Sequence, residues 1–109
     1  RKLDNLVAIY DSNKIQGDAP VGVQLDMGDV AGKLKAFGWH VIEIDGHDIP
    51  SIQAALKEAR EIKEKPTFVL AETIKGKGVS FMEGVVRWHG SVTMTDQELA
   101  DSLAELEKK

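Results

Sequence analysis

Short apolar runs alternate along this chain with stretches in which apolar residues recur every three or four positions. Leu6 to Tyr10 (Leu-Val-Ala-Ile-Tyr) is the first run, and it breaks abruptly into Asp11-Ser12-Asn13. A continuous apolar run that stops at turn-forming residues predicts a buried parallel strand. Asn13 to Gln24, punctuated by Gly17, Pro20 and Gly22, predicts a loop. Val30, Leu34 and Phe37, with Ala31 alongside, predict a helix over Asp29 to Phe37, capped by Asp26 or Asp29 and stopped by Gly38. Trp39 to Ile44 predicts a second strand, and Asp45-Gly46-His47-Asp48 a turn whose last residue caps the next helix. Pro50 sits in that helix's first turn, where its missing N–H costs nothing. The helix extends to Glu64, with Ile52, Ala55, Leu56, Ala59 and Ile62 on one face, and Pro66 marks the boundary. Thr67 to Thr73 predicts a third strand. After a Gly- and Lys-rich loop, Thr95 and Glu98 form a capping box for a last helix, with Leu99, Leu103 and Leu106 as its apolar stripe.

The resulting order, β-loop-α-β-α-β-loop-α, predicts an α/β fold: a parallel sheet with helices on both faces and right-handed crossovers. Three strands are few for an independent domain of this class, and these helices cover the sheet only in part. A further strand or a partner chain is implied. The chain opens with Arg1-Lys2-Leu3 only a few residues before a buried-type strand, which reads as the middle of a domain and hence as a fragment.

Composition narrows the class. With 109 residues there is one small domain at most, here taken as a single partial domain over residues 1–109. Hydrophobic content of 42% with 29% charged residues describes a globular chain rather than a disordered one. The formal charge is −4, so no basic surface points to a nucleic-acid partner. No apolar run approaches the roughly 20 residues of a membrane helix, and no signal-peptide pattern opens the chain. Cysteine is absent, which excludes disulfides and thiolate metal sites and agrees with a reducing, cytoplasmic setting.

Four places can carry chemistry. In open α/β sheets ligands lie beyond the carboxyl ends of the strands, so Asn13 stands where a ligand is expected. Its amide oxygen is a hard, neutral acceptor suited to Mg²⁺, and a bent loop behind it can add a backbone carbonyl. The commoner role of Asp11, Ser12 and Asn13 is to make the turn, since Asx side chains bond their own backbone. His89, between Trp88 and Gly90, can bond a phosphate or shuttle a proton, or simply bond backbone. Lys75-Gly76-Lys77-Gly78 can cradle phosphate, but it lacks the P-loop spacing and its Ser or Thr; a solvated, flexible loop is the plainer reading. His47 is expected to stabilise its turn, and His40, alternating with the apolar residues of its strand, to be packed or at an edge. No His-x-x-x-His or carboxylate cluster suggests a transition-metal site.

Taken in order, Asp11-Ser12-Asn13-Lys14-Ile15-Gln16, Phe37-Gly38-Trp39-His40-Val41, Asp45-Gly46-His47-Asp48, Thr73-Ile74-Lys75-Gly76-Lys77-Gly78-Val79-Ser80-Phe81-Met82 and Trp88-His89-Gly90 resemble transketolase. The closest resemblance is to the N-terminal subunit of the split, two-chain type. The resemblance covers nearly the whole chain. It implies the second, C-terminal half of a thiamine-diphosphate-binding pyrophosphate domain. It implies Mg²⁺ and thiamine diphosphate as cofactors, with Asn13 and the Ile15 carbonyl as metal and cofactor ligands. His89 matches a histidine near the diphosphate and the reacting centre. The family's Gly-Asp-Gly segment, whose Asp is a further metal ligand, lies upstream of this sequence. Gly17 replaces a usually apolar residue that packs on the cofactor ring. The implied reaction moves a two-carbon ketol unit from a ketose phosphate to an aldose phosphate. The implied partner is a C-terminal transketolase subunit that supplies the activating glutamate, in a dimer or heterotetramer, and an isolated chain is expected to be inactive. A 1-deoxyxylulose-5-phosphate synthase and a non-catalytic assembly partner are the alternatives; Trp88-His89-Gly90 argues for transketolase.

Overall fold

The computed structural model describes residues 1–17, 19–20, 25–90 and 92–108. Asp18 and Gly22, both within the expected loop, lie outside the described residues. The chain divides into two compact units, one of Arg1–Ser12 with Met27–Thr73, the other of Asn13–Asp26 with Ile74–Lys109.

The first unit holds strands β1 (Val7–Ser12), β4 (His40–Asp45) and β5 (Thr67–Glu72), with helices α1 (Val30–Ala36) and α2 (Ile49–Glu61); the short strands β2 (Ile15–Gln16) and β3 (Ala19–Pro20) belong to the second unit. The sheet order is β1-β5-β4 and both pairings are parallel. Val7 and His40 both stand opposite Thr67, and Ser12 and Asp45 both stand opposite Glu72, so all three strands end level. Helices lie on both faces. On one, Ala31 of α1 packs with Phe68 and Leu70, joined by Tyr10, Leu34 and Trp39. Tyr10 stacks on Phe68 at 6.0 Å and Trp39 meets it edge-on at 6.2 Å. On the other, the His40 ring bonds Glu58 of α2 at 2.6 Å, and α2 buries Ala55 and Ala59. Such small residues let a helix approach its neighbours closely. The caps are those expected: Asp29 accepts from the Gly32 N–H and Asp48 from the Ser51 N–H.

One expectation changes. β1 is not a fully buried strand but an edge strand: β5 occupies the middle, buried from Thr67 through Ala71, while Ile9 of β1 is 62% exposed. Both runs are apolar and β-branched, and nothing within a run states on which side its neighbours lie. Strand order alone decides burial here.

In the second unit β2 and β3 pair antiparallel as a two-residue hairpin. The unit also contains a series of turns over 74–85, a 3-10 turn at Val86–Trp88, and helix α3 (Asp96–Glu107). The hairpin falls inside the segment expected to be loop. Gly17, with φ +58, sits at its turn, where left-handed backbone favours glycine. That conformational demand accounts for the glycine at this position. The capping box of α3 is formed, with Thr95 accepting from the Glu98 N–H and Glu98 from the Thr95 N–H.

Candidate functional site at the strand ends

The three strands of the sheet end level, and the residues that leave them are tied to one another. The Thr73 N–H donates to the Ser12 carbonyl at 3.3 Å, and the Gly46 N–H to the Glu72 carbonyl at 2.8 Å. The Thr73 hydroxyl donates to the Asp11 carboxylate. Gly46 cannot be replaced freely, since a Cβ there would lie 2.4 Å from the Thr73 methyl and 3.1 Å from the Glu72 carbonyl. The edge is therefore tied across all three strands by main-chain bonds and one side-chain clamp. Sequence reasoning missed the Asp11–Thr73 clamp, because 62 positions separate its partners. The His47 N–H donates to Asp45, so Asp45 closes the turn in which His47 was expected to be structural.

Asn13 follows directly on Ser12. Its amide oxygen accepts the Ile15 N–H at 3.0 Å, with Lys14 between them in the left-handed region at φ +65. This is an Asx turn, the commoner of the two roles weighed for Asn13. It does not use up the residue. An amide oxygen carries two acceptor positions, and one bond leaves a second. The Ile15 carbonyl is also directed by the chain. Ile15 stands opposite Pro20, which has no N–H to donate, so their pair is the non-bonded kind in which N–H and C=O point outward. The outward N–H of Ile15 is the one that Asn13 holds. The amide oxygen of Asn13 and the carbonyl of Ile15 are thus directed to the same side of the hairpin. Two neutral oxygens presented together fit part of a Mg²⁺ shell, in which phosphate, water and other oxygens complete the octahedron. Among the described residues no three His, Cys, Asp or Glu converge for a metal.

The Lys75–Gly78 loop is bonded to the segment that follows it. The Gly84 N–H donates to the Lys75 carbonyl at 2.8 Å, and Glu83 accepts the Gly78 N–H and pairs with Lys77. Gly76, at φ +74, packs so closely that a Cβ there would lie 2.7 Å from the Met82 carbonyl. Glu83 organises the loop, a role that no sequence signal marked. His89 lies just after the 3-10 turn, and its N–H donates to the Val86 carbonyl at 3.0 Å. Its imidazole is exposed and has no hydrogen-bond partner among the described residues. Trp88 beside it is fixed by Phe81 at 5.8 Å and by the Arg87 guanidinium over its ring at 4.7 Å. No direct bond joins His89 to Asn13 or Ile15 among the described residues, whereas the Asn13 amide and the Ile15 N–H are bonded to each other.

A parallel α/β sheet whose three strands end level is the class of fold observed, and comparison with known proteins specifies it. Residues 1–106 match the family model described as transketolase, thiamine diphosphate binding domain. This chain belongs to that family. It is 40% identical over 109 residues to the 6-deoxy-6-sulfo-D-fructose transketolase subunit SqwG of Clostridium sp. (strain MSTE9), covering all of this chain and 39% of that one. It is 34% identical to an apulose-4-phosphate transketolase subunit of Phocaeicola vulgatus, covering 99% of this chain and 41% of that one. The crystal structure of transketolase from Campylobacter jejuni superposes with a TM-score of 0.87 at 32% identity, over 97% of this chain and 16% of that one. The chain thus spans about two fifths of the subunits it matches.

Proposed function

We propose that this domain is the pyrophosphate-holding part of a transketolase subunit that transfers a two-carbon ketol unit between sugars in an assembled, two-subunit enzyme. The observation that carries the reading is the Asx turn directly after the first strand, in which the Asn13 amide oxygen accepts the Ile15 N–H and keeps a second acceptor position. In this reading the Asn13 amide oxygen and the Ile15 carbonyl would hold Mg²⁺, which would offset the charge of a thiamine diphosphate's diphosphate. The bound cofactor supplies the carbanion chemistry; the protein supplies position and charge. Asn13 and Ile15 would thereby orient the diphosphate, and the Asx turn holds the Asn13 amide in place in advance, which would reduce the ordering cost on binding. His89, with a ring that no described residue engages, is available at either nitrogen to hold or move a proton on a substrate hydroxyl.

The two relatives matched are named for a sulfonated and a phosphorylated ketose. A ketose with a terminal anionic group is the substrate class proposed here. Because both relatives are named as subunits, a second subunit is proposed to complete the site and supply the activating glutamate. Calorimetric titration of the complete subunit with its partner, using Mg²⁺ and thiamine diphosphate, tests the reading. Saturable heat that needs both is expected, together with ketol transfer from a ketose phosphate and none of the pyruvate decarboxylation expected of a 1-deoxyxylulose-5-phosphate synthase. Absence of heat from the assembled enzyme would overturn it.

A further inference from the structure

The backbone on the two sides of His89 is held unequally. After it, Gly90 stands at φ +78 with open space where a side chain would be, so it restrains the chain little. Before it, the chain is gripped. The Trp88 N–H donates to the Val85 carbonyl at 3.2 Å and the His89 N–H to the Val86 carbonyl at 3.0 Å, which winds the turn. The Trp88 indole meets the Phe81 ring at 5.8 Å, and the Arg87 guanidinium lies over it at 4.7 Å. A flat guanidinium can stack and donate at once, which a Lys ammonium cannot.

Arg87 is held in turn from eleven residues further along. Its guanidinium donates to one Glu98 carboxylate oxygen at 3.0 Å. The other oxygen accepts the Thr95 N–H at 2.8 Å, while the Thr95 hydroxyl accepts the Glu98 N–H at 3.1 Å. The helix cap therefore fixes the Glu98 side chain on which Arg87 rests. Arg87 is 56% exposed, and an ion pair so exposed adds little to stability. Its effect is on position. We infer that Arg87 and Glu98 are positioning residues for His89: they tie the Val86–Trp88 turn to the capped end of α3 and so set in advance the backbone from which the imidazole projects. This rests on the proton-handling reading of His89 above and adds the residues that hold it. Misplacing a reacting group by about 1 Å can cost on the order of a hundredfold in rate, so such fixing has a catalytic consequence.

The test uses the complete subunit assembled with its partner. Arg87→Gln is expected to lower kcat about tenfold and leave KM for the ketose donor within about twofold, the pattern of an interaction lost from the transition state. In a His89→Ala background the same substitution should cost less than about twofold, because residues that act through one group do not add. A second measurement needs neither cofactor nor turnover. In the cofactor-free enzyme, the His89 N–H should exchange roughly three- to tenfold faster in Arg87→Gln, with the amides of β5 unchanged. The thermal midpoint should move by no more than about two degrees. A full tenfold loss on top of His89→Ala would overturn the inference, since Arg87 would then act elsewhere. So would unchanged exchange at His89. So would a fallen midpoint with faster exchange throughout the sheet, which would make the pair a stability element only. The two readouts also separate this claim from the one beneath it. Normal turnover of His89→Ala with faster exchange in Arg87→Gln rejects the chemistry assigned to His89 and keeps the positioning. Lost turnover of His89→Ala with unchanged exchange does the reverse.

Discussion

Replacing Asn13 by alanine separates two roles that meet on one side chain. The first is local. The amide oxygen accepts the Ile15 N–H at 3.0 Å in a partly buried turn. Its removal leaves that N–H to find water, at a cost of about 1 kcal/mol, roughly a fivefold change in the folding equilibrium. The second role, the proposed one, is ligation. Even outer partners of a metal site cost about 10–100-fold in metal affinity when removed, so loss of a direct oxygen ligand should cost at least that. The prediction is a small drop in thermal midpoint without cofactor, together with a loss of one to two decades in Mg²⁺-thiamine diphosphate affinity. Asn13→Asp sharpens it. Aspartate keeps an oxygen for the Ile15 N–H and offers the metal a charged ligand, so stability should stay near wild type and Mg²⁺ affinity should hold or rise. Differential scanning calorimetry without cofactor and isothermal titration of the assembled enzyme measure the two effects independently. An alanine variant with a lowered midpoint and unaltered cofactor affinity would make Asn13 a turn residue and nothing more.

Other outcomes follow from the same structure. His89→Ala should lower turnover by about a hundredfold or more, the usual worth of a proton-handling group, while urea unfolding shifts by less than about 0.5 kcal/mol, since the exposed ring has no described partner. Normal specific activity would remove it from the chemistry. Phe68→Ala opens the layer between Tyr10 and Trp39 and should destabilise by about 3–5 kcal/mol on denaturant unfolding. The Thr95 N–H, and after it the Arg87 guanidinium, hold the Glu98 carboxyl below its ordinary value of 4.5. A depressed carboxyl contributes stability that is present above its unfolded pKa and lost as the pH falls through the folded one. The α3 terminus should therefore loosen only below about pH 4.5, as seen by amide exchange, and Glu98→Gln should flatten that dependence.

Much of the architecture was legible because its signals are local. Asp29, Asp48 and Thr95 cap helices as read, since a cap needs only three or four neighbouring residues. The hairpin at Ile15–Pro20 was not legible: two residues per strand leave no periodicity to detect. The Asn13 loop illustrates the limit at the site. Residue types suggested a hard-oxygen ligand or a turn, and the structure shows the turn while leaving an acceptor position on the amide oxygen.

The sequence by itself determined the number of long elements, their type, their caps and the α/β class, because dihedral preference and apolar periodicity act over a few residues. It also carried the ordered motifs that place the chain among transketolases. Only the tertiary structure decided that β5, not β1, is the central strand, that Asp11 clamps Thr73, and that α3 turns its leucines outward. Each of these depends on which distant segments become neighbours, and a run of side chains read along the backbone holds no record of what lies across from it.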